Sequence, residues 1–111
     1  MTSFNTWLGI ELDETEDAIV LETRPEHQVA PETIHFAVLT TLAEVSAAHA
    51  VGAAVVPASV TVNLLRRARP GRLVARGTLL KKGRRLAVAE GTVTREGQIV
   101  AKATVTFAVM G

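Results

Sequence analysis

Hydrophobic and polar positions along the chain change their period three times. Two short alternating runs, residues 8–12 ("LGIEL") and 18–24 ("AIVLETR"), flank the acidic, turn-like "DETED" and predict an opening hairpin. Residues 25–33, "PEHQVAPET", carry two prolines and no apolar period, and read as a loop. The next stretch, "IHFAVLTTLAEVSAAHAV" at 34–51, is apolar nearly all round at helical spacing. Pro31 suits a first helical turn, Glu32 complements the positive end of the helix dipole and Gly52 suits the stop, so the only long helix is expected between 31 and 52. From Pro57 onward the period becomes two, and the turns "RPGR", "KKGR" and "REGQ" separate four runs of about ten residues. In the last run Ile99, Ala101, Ala103, Val105, Phe107 and Val109 fall on one side, while Lys102, Thr104 and Thr106 fall on the other. That is the pattern of a half-buried antiparallel strand.

Strands of that length span about 33 Å and the helix about 27 Å, so a twisted antiparallel sheet is long enough to curl round the helix. The expected class is α+β, a long central helix wrapped by a curled antiparallel sheet. A sheet covers one side of a helix only, whereas this helix is apolar nearly all round. A second copy of the chain is the economical cover for the remainder, which makes a homodimer, or a homotetramer built from two dimers, the expected assembly.

Length bounds the picture to a single domain, 1–111, able to bury roughly 65% of the surface its unfolded form exposes. The 48% apolar content and net charge of +1 argue against disorder and supply no strong pull toward nucleic acid or a membrane surface. The basic clusters lack interleaved aromatics, which further weakens a nucleic-acid role. Cysteine is absent, excluding disulfides, thiolate nucleophiles and cysteine-ligated metals. The opening residues show no basic segment followed by an apolar one, so the cytoplasm is the expected compartment. Thr40, Thr41, Glu44, Ser46 and His49 interrupt the most apolar stretch, which falls short of the ~20 residues needed to cross a bilayer.

Glu44 is the residue that calls for chemistry. A carboxylate removed from water costs several kcal/mol unless paired or neutralised, yet this one sits in the middle of the apolar helix. Two accounts stand side by side: it reaches solvent or an arginine of the sheet, or it is a reactive group. Thr40 and Thr41 share its stripe, and the small Ala43, Ala47 and Ala48 leave room beside it. His35 is nine positions earlier, about 180° round the helix and about 13 Å along it, so the two cannot meet within one helix. His27, His35 and His49 have no metal-ligand spacing, and no metal is expected.

"IHFAVLTTLAEVSAA", followed by "VTVNLLRRARPGRLVARGTLLKKGRRLAVAEGTV" and "GQIVAKATVTFAV", resembles the hotdog-fold acyl-CoA thioesterases of the phenylacetate-pathway, PaaI-like type. The resemblance covers most of the chain. In that family a His-Gly-Gly opens the helix and an acid follows nine positions after the histidine, a register that His35 and Glu44 keep. Phe36 and Ala37 replace the two glycines, and Glu32 stands where a further glycine is usual. Val29 occupies the place of the family's asparagine or glutamine, with Gln28 one position away.

The resemblance implies a thioesterase in which the backbone N–H of Phe36 polarises the thioester carbonyl and Glu44 of a second protomer attacks, as nucleophile or as general base on water. His35, Thr41 and Gln28 are the implied supporting residues. It implies no cofactor beyond the coenzyme A moiety of an acyl-CoA substrate, and it places the nucleotide end near the hairpin of Lys81, Lys82, Gly83, Arg84 and Arg85. Arg66, Arg67 and Arg69 form a second basic cluster. Two other activities fit the same fold: a domain that binds acyl-CoA without cleaving it, and a hydratase or dehydratase.

Overall fold

The computed structural model describes residues 3–110. A one-and-a-half-turn helix α1 (Phe4–Leu8) precedes the hairpin β1 (Glu11–Asp13) and β2 (Ala18–Glu22), and a 3-10 turn (Pro25–His27) leads into the short strands β3 (Gln28–Ala30) and β4 (Thr33–Ile34). The long helix α2 (Phe36–Val51) follows, and then β5 (Val55–Leu64), β6 (Arg72–Lys82), β7 (Leu86–Arg95) and β8 (Gln98–Val109). Six strands form one antiparallel sheet in the order β1-β2-β6-β7-β8-β5, with α2 laid across its concave face. The single long helix and the four long strands thus stand where the periodicity places them, and so does the opening hairpin, except that its first strand, expected over 8–12, starts only at Glu11 because Leu8 ends α1 and Gly9 caps it. The architecture is the α+β hotdog arrangement.

The start of α2 differs from expectation. Pro31 and Glu32 belong to the turn between β3 and β4, where Ala30 pairs with Thr33 and Glu32 adopts φ 58°. Proline at the second turn position followed by a positive φ is the combination of a type II turn, a use of proline that competes with the first helical position. Gln28 secures the turn by accepting the Glu32 N–H at 3.0 Å. The helix begins only at Phe36, capped by His35, whose Nδ1 accepts the Ala37 N–H at 2.9 Å. The stretch expected to be a loop therefore holds a 3-10 turn and a two-stranded ladder.

Close approach of α2 to the sheet rests on two glycines that face each other across β6 and β7, Gly77 and Gly91. A Cβ on Gly91 would collide with the Ala43 carbonyl, and one on Gly77 with the Ser46 carbonyl. The helix answers with small residues. Ala43, Ser46 and Ala47 are fully buried against the sheet, and the Ser46 hydroxyl satisfies itself by donating to Ala43 O at 2.9 Å. Two of the alanines expected to leave room beside Glu44, Ala43 and Ala47, thus serve the helix–sheet seam instead. Around the seam pack Leu21, Leu42, Leu73, Val93, Val105 and Phe107, all under 2% exposed.

The alternation of β8 also breaks once. Val93 pairs with Ala101 and Thr94 with Ile99, so Val100 is an extra residue, a bulge. Beyond it the faces exchange: Val100 is 3% exposed and enters the core, while Ile99, expected inside, is 42% exposed. Of the other residues expected inside, Ala101, Ala103, Val105 and Phe107 are buried as the pattern requires, and Val109 is partly buried against the core.

Candidate functional site

The face of α2 turned away from the sheet carries Phe36, Ala37, Thr40, Thr41, Glu44 and Ala48. At its N-terminal end the imidazole of His35 stacks on the ring of Phe36, centroids 4.6 Å apart, while its Nδ1 is committed to the Ala37 N–H. The Phe36 N–H has no acceptor among the described residues. It is a first-turn donor of the kind that carries the positive end of the helix dipole. The Phe36 side chain is 57% exposed beside it.

Glu44 is half-buried on this face and makes no ion pair among the described residues, so the sheet-arginine partnership considered for it is not formed. Desolvation alone pushes its carboxyl above the usual carboxylate range. Thr40 and Thr41 do not relieve it with their protons. Their hydroxyls donate to Phe36 O at 2.9 Å and Ala37 O at 2.8 Å, which leaves each of them as an acceptor only. Eight residues of helix separate Glu44 from Phe36, about 12 Å, so one protomer holds an acid and an amide that cannot act on the same atom.

Two hollows flank the N-terminal end of α2. One, about 340 Å³, is bounded by Trp7, Leu8, His27, Gln28, His35 and Val38. Its wall is built on buried His27, whose Nδ1 accepts the Arg24 N–H at 2.9 Å. The other ring nitrogen, Nε2, must then carry the proton, and it meets Leu8 O at 2.9 Å. Gln28 reaches this hollow with its oxygen already held by Glu32 N–H, leaving its amide group free. The second hollow, also about 340 Å³, runs from Phe36 past Val29, Leu64 and Leu65 to Arg66 and Arg67. The role of α1 was missed in the sequence. Its signals were Ser3, which accepts the Thr6 N–H at 3.1 Å, and Gly9, which closes the helix at φ 98°.

The basic hairpin lies at the other end of α2. Lys82 donates from Nζ to Val51 O at 3.2 Å, capping the last turn, and the Gly83 N–H closes the hairpin on Leu86 O at 2.8 Å. Arg84 and Arg85 are exposed. No group of three or more potential metal-ligating side chains converges among the described residues. Nor is any helix among them long and apolar enough to cross a membrane.

Residues 24–108 match the family model of the acyl-CoA thioesterase N-terminal domain. Among solved structures, a variant of the phenylacetic acid degradation protein PaaI from Thermus thermophilus is 27% identical, with a TM-score of 0.83 over 96% of this chain and 98% of that one. A thioesterase from Haemophilus influenzae superposes with a TM-score of 0.87 at 23% identity, over 99% of this chain and 84% of that one. A Bacillus halodurans protein solved with CoA does so with a TM-score of 0.84 at 21% identity, over 99% and 77%. No protein of curated function matches the sequence significantly.

Proposed function

The chain belongs to the acyl-CoA thioesterase domain family, PaaI-like in type, and from that premise we propose that it hydrolyses an acyl-CoA thioester at an interface between two of its own protomers. The observation that carries the reading is the division of labour along α2. An unpaired, half-buried carboxylate lies at Glu44 and an unpaired helix-end amide at Phe36, about 12 Å apart on one face. Two such helices packed side by side and antiparallel bring Glu44 of one protomer against the Phe36 N–H of the other.

In that arrangement the Phe36 N–H stabilises the developing oxyanion by donating to it, and the positive helix end adds to its field. Glu44 attacks the thioester carbon directly, expelling the coenzyme A thiolate and leaving a mixed anhydride that water hydrolyses, or it takes a proton from a water that attacks the same carbon as the C–S bond breaks and the thiolate leaves. Both routes need it ionised, and its raised pKa strengthens it as a base. His35 fixes the first turn through Ala37 N–H, and Thr41 presents an acceptor to a water beside the carboxylate. The hollow at Trp7 and Val38 offers apolar surface for the acyl group. A second copy also answers two exposures of the protomer. It covers the outer face of α2, and it protects the unpaired edge of β5, ten residues long with Val56, Val60 and Leu64 exposed. The protein is expected to act as a homodimer or a pair of dimers, in solution, with no cofactor beyond its substrate.

Thiol release from a panel of acyl-CoA esters tests the reading: wild type turns over at least one, and Glu44→Ala turns over none while keeping its fold. Equal rates for the two proteins would remove Glu44 from the reaction. One observation favours a second reading, that the domain binds acyl-CoA without cleaving it. The Phe36 ring, stacked on His35, stands beside the amide where the family carries a glycine. Saturable acyl-CoA binding with no thiol released over hours would establish that reading in place of the first.

A further inference from the structure

Resting on the acyl-CoA reading, we infer that His27 is a positioning residue for the acyl group: as a neutral imidazole it docks α1 as one wall of the hollow, and a second proton on the ring undocks it. Among the described residues only His27 and Ser46 are polar and buried, and His27 is 3% exposed. The proposed reaction at Phe36 and Glu44 makes no use of its ring.

Every polar group of His27 is committed to joining segments. Its N–H donates to Arg24 O at 2.9 Å and its carbonyl accepts the His35 N–H at 2.8 Å, which ties the 3-10 turn to the residue that caps α2. The ring reaches α1, accepting the Arg24 N–H at Nδ1 and donating from Nε2 to Leu8 O, both at 2.9 Å. That hold matters, because α1 has five residues, too few to be helical alone, and buries only the side chain of Leu8. A second bond from outside, Arg24 Nη2 to Trp7 O at 3.2 Å, comes from an exposed side chain. Phe4, Trp7 and Leu8, with Ala37 and Val38 of α2, supply the apolar lining of the hollow. Release of α1 removes three of those five residues.

The arrangement admits one protonation state. A backbone N–H can only donate, so Nδ1 must keep its lone pair and the single ring proton sits on Nε2. A proton added at Nδ1 sets two N–H groups against each other, their nitrogens 2.9 Å apart, at a buried position. The ring is rigid, so moving Nδ1 away from Arg24 N–H moves Nε2 off Leu8 O as well. The charged and titratable side chains lining the hollow are Arg24 and Glu26, on the same turn, and His35 at the head of α2; α1 contributes none. Glu26 is exposed and faces Arg24 at 3.9 Å, so no carboxylate is held against the ring to receive the added charge.

Trp7 is the only tryptophan of a chain without tyrosine, so its fluorescence anisotropy in the intact protein reports on α1 alone. In the wild type the anisotropy should fall on acid titration before far-UV circular dichroism changes. His27→Gln sets its amide near the Nε2 position, donates to Leu8 O and does not titrate; its anisotropy should match the wild type at neutral pH and stay level in acid. His27→Asn reaches only the Nδ1 position, keeps the Arg24 bond and leaves Leu8 O unbound; its anisotropy should be low throughout. With an acyl-CoA that the wild type turns over at neutral pH, His27→Asn should raise KM at least about fivefold with kcat within about twofold, and His27→Gln should retain the wild-type KM. An acid-insensitive wild type, an acid loss shared by His27→Gln, full anisotropy in His27→Asn, or a fall in its kcat with KM unchanged would each overturn the assignment. If His27→Asn does not fold, the wild type and His27→Gln in acid decide alone. The anisotropy needs no turnover: the same behaviour in a protein that releases no thiol would support the docking by His27 and remove the hydrolase reading only.

Discussion

The two faces of α2 are made of the same kinds of residue and do opposite things. Toward the sheet, Ala43, Ser46 and Ala47 meet Gly77 and Gly91 with no spare volume and with the one buried hydroxyl satisfied. Away from it, Phe36 keeps an unused N–H, Thr40 and Thr41 turn their protons back into the helix, and Glu44 stands without a partner. The inner face is complete within one protomer, whereas on the proposed function the outer face is completed by another. On that proposal one helix is a structural seam on one side and half of a catalyst on the other, because the seam fixes the position of every group across from it.

The largest effect expected on the outer face is kinetic. Glu44→Gln, which keeps the shape and removes the base, should lower thiol release by about 10²- to 10⁴-fold, measured at saturating acyl-CoA, with no loss of folded structure. Substitution on the inner face should do the reverse. Gly91→Ala drives a methyl group into the Ala43 carbonyl and to 2.6 Å from Ser46 Oγ, and the carbonyl is backbone that cannot swing aside. A loss of about 3 kcal/mol in urea unfolding is expected, with activity falling only as the folded fraction does. A Gly91→Ala protein of wild-type stability would mean that the helix can lift off the sheet, and that the two faces are not rigidly coupled.

How much of this was legible depends on the range of the interactions. Periodicity located α2, the β1–β2 hairpin and the four long strands, since each is decided by neighbours in sequence. Pro31 misled because the same residue opens helices and turns, and what selected the turn was Gln28 accepting the Glu32 N–H. Ile99 misled because a bulge is a fact about the partner strand, and the pairing of Thr94 with it cannot be seen in β8 alone. Gly77 and Gly91 lie fourteen positions apart, and nothing local shows that they sit opposite each other under a helix. At the site, the register of His35 and Glu44 was visible as a family pattern. The capping role of His35, the spent proton of Thr41 and the groove joining Phe36 to the arginines needed coordinates.

A smaller effect sharpens the contrast between the two ends of the helix. Lys82→Met retains the apolar stem but removes the charge from Val51 O, and should cost about 0.5 kcal/mol of stability, read from urea unfolding at low salt.

The last expectation concerns pH and follows from the sign of the Glu44 shift. Burial raises its carboxyl pKa in the folded chain above the ordinary 4.5, so the folded state holds its proton more tightly than the unfolded state does. Stability from this group is therefore full below about 4.5 and is lost as pH climbs through the raised folded value. Glutamine does not titrate, so Glu44→Gln should gain on the wild type between about pH 4 and pH 8 in paired urea titrations, with the gap levelling off once Glu44 is ionised in both states. The opposite order at the alkaline end has one physical source: a positive group outside the protomer that favours the ionised carboxylate by more than burial disfavours it. The Phe36 end of a neighbouring α2 is such a group, and dilution would then abolish the difference while leaving the Gly91→Ala loss in place.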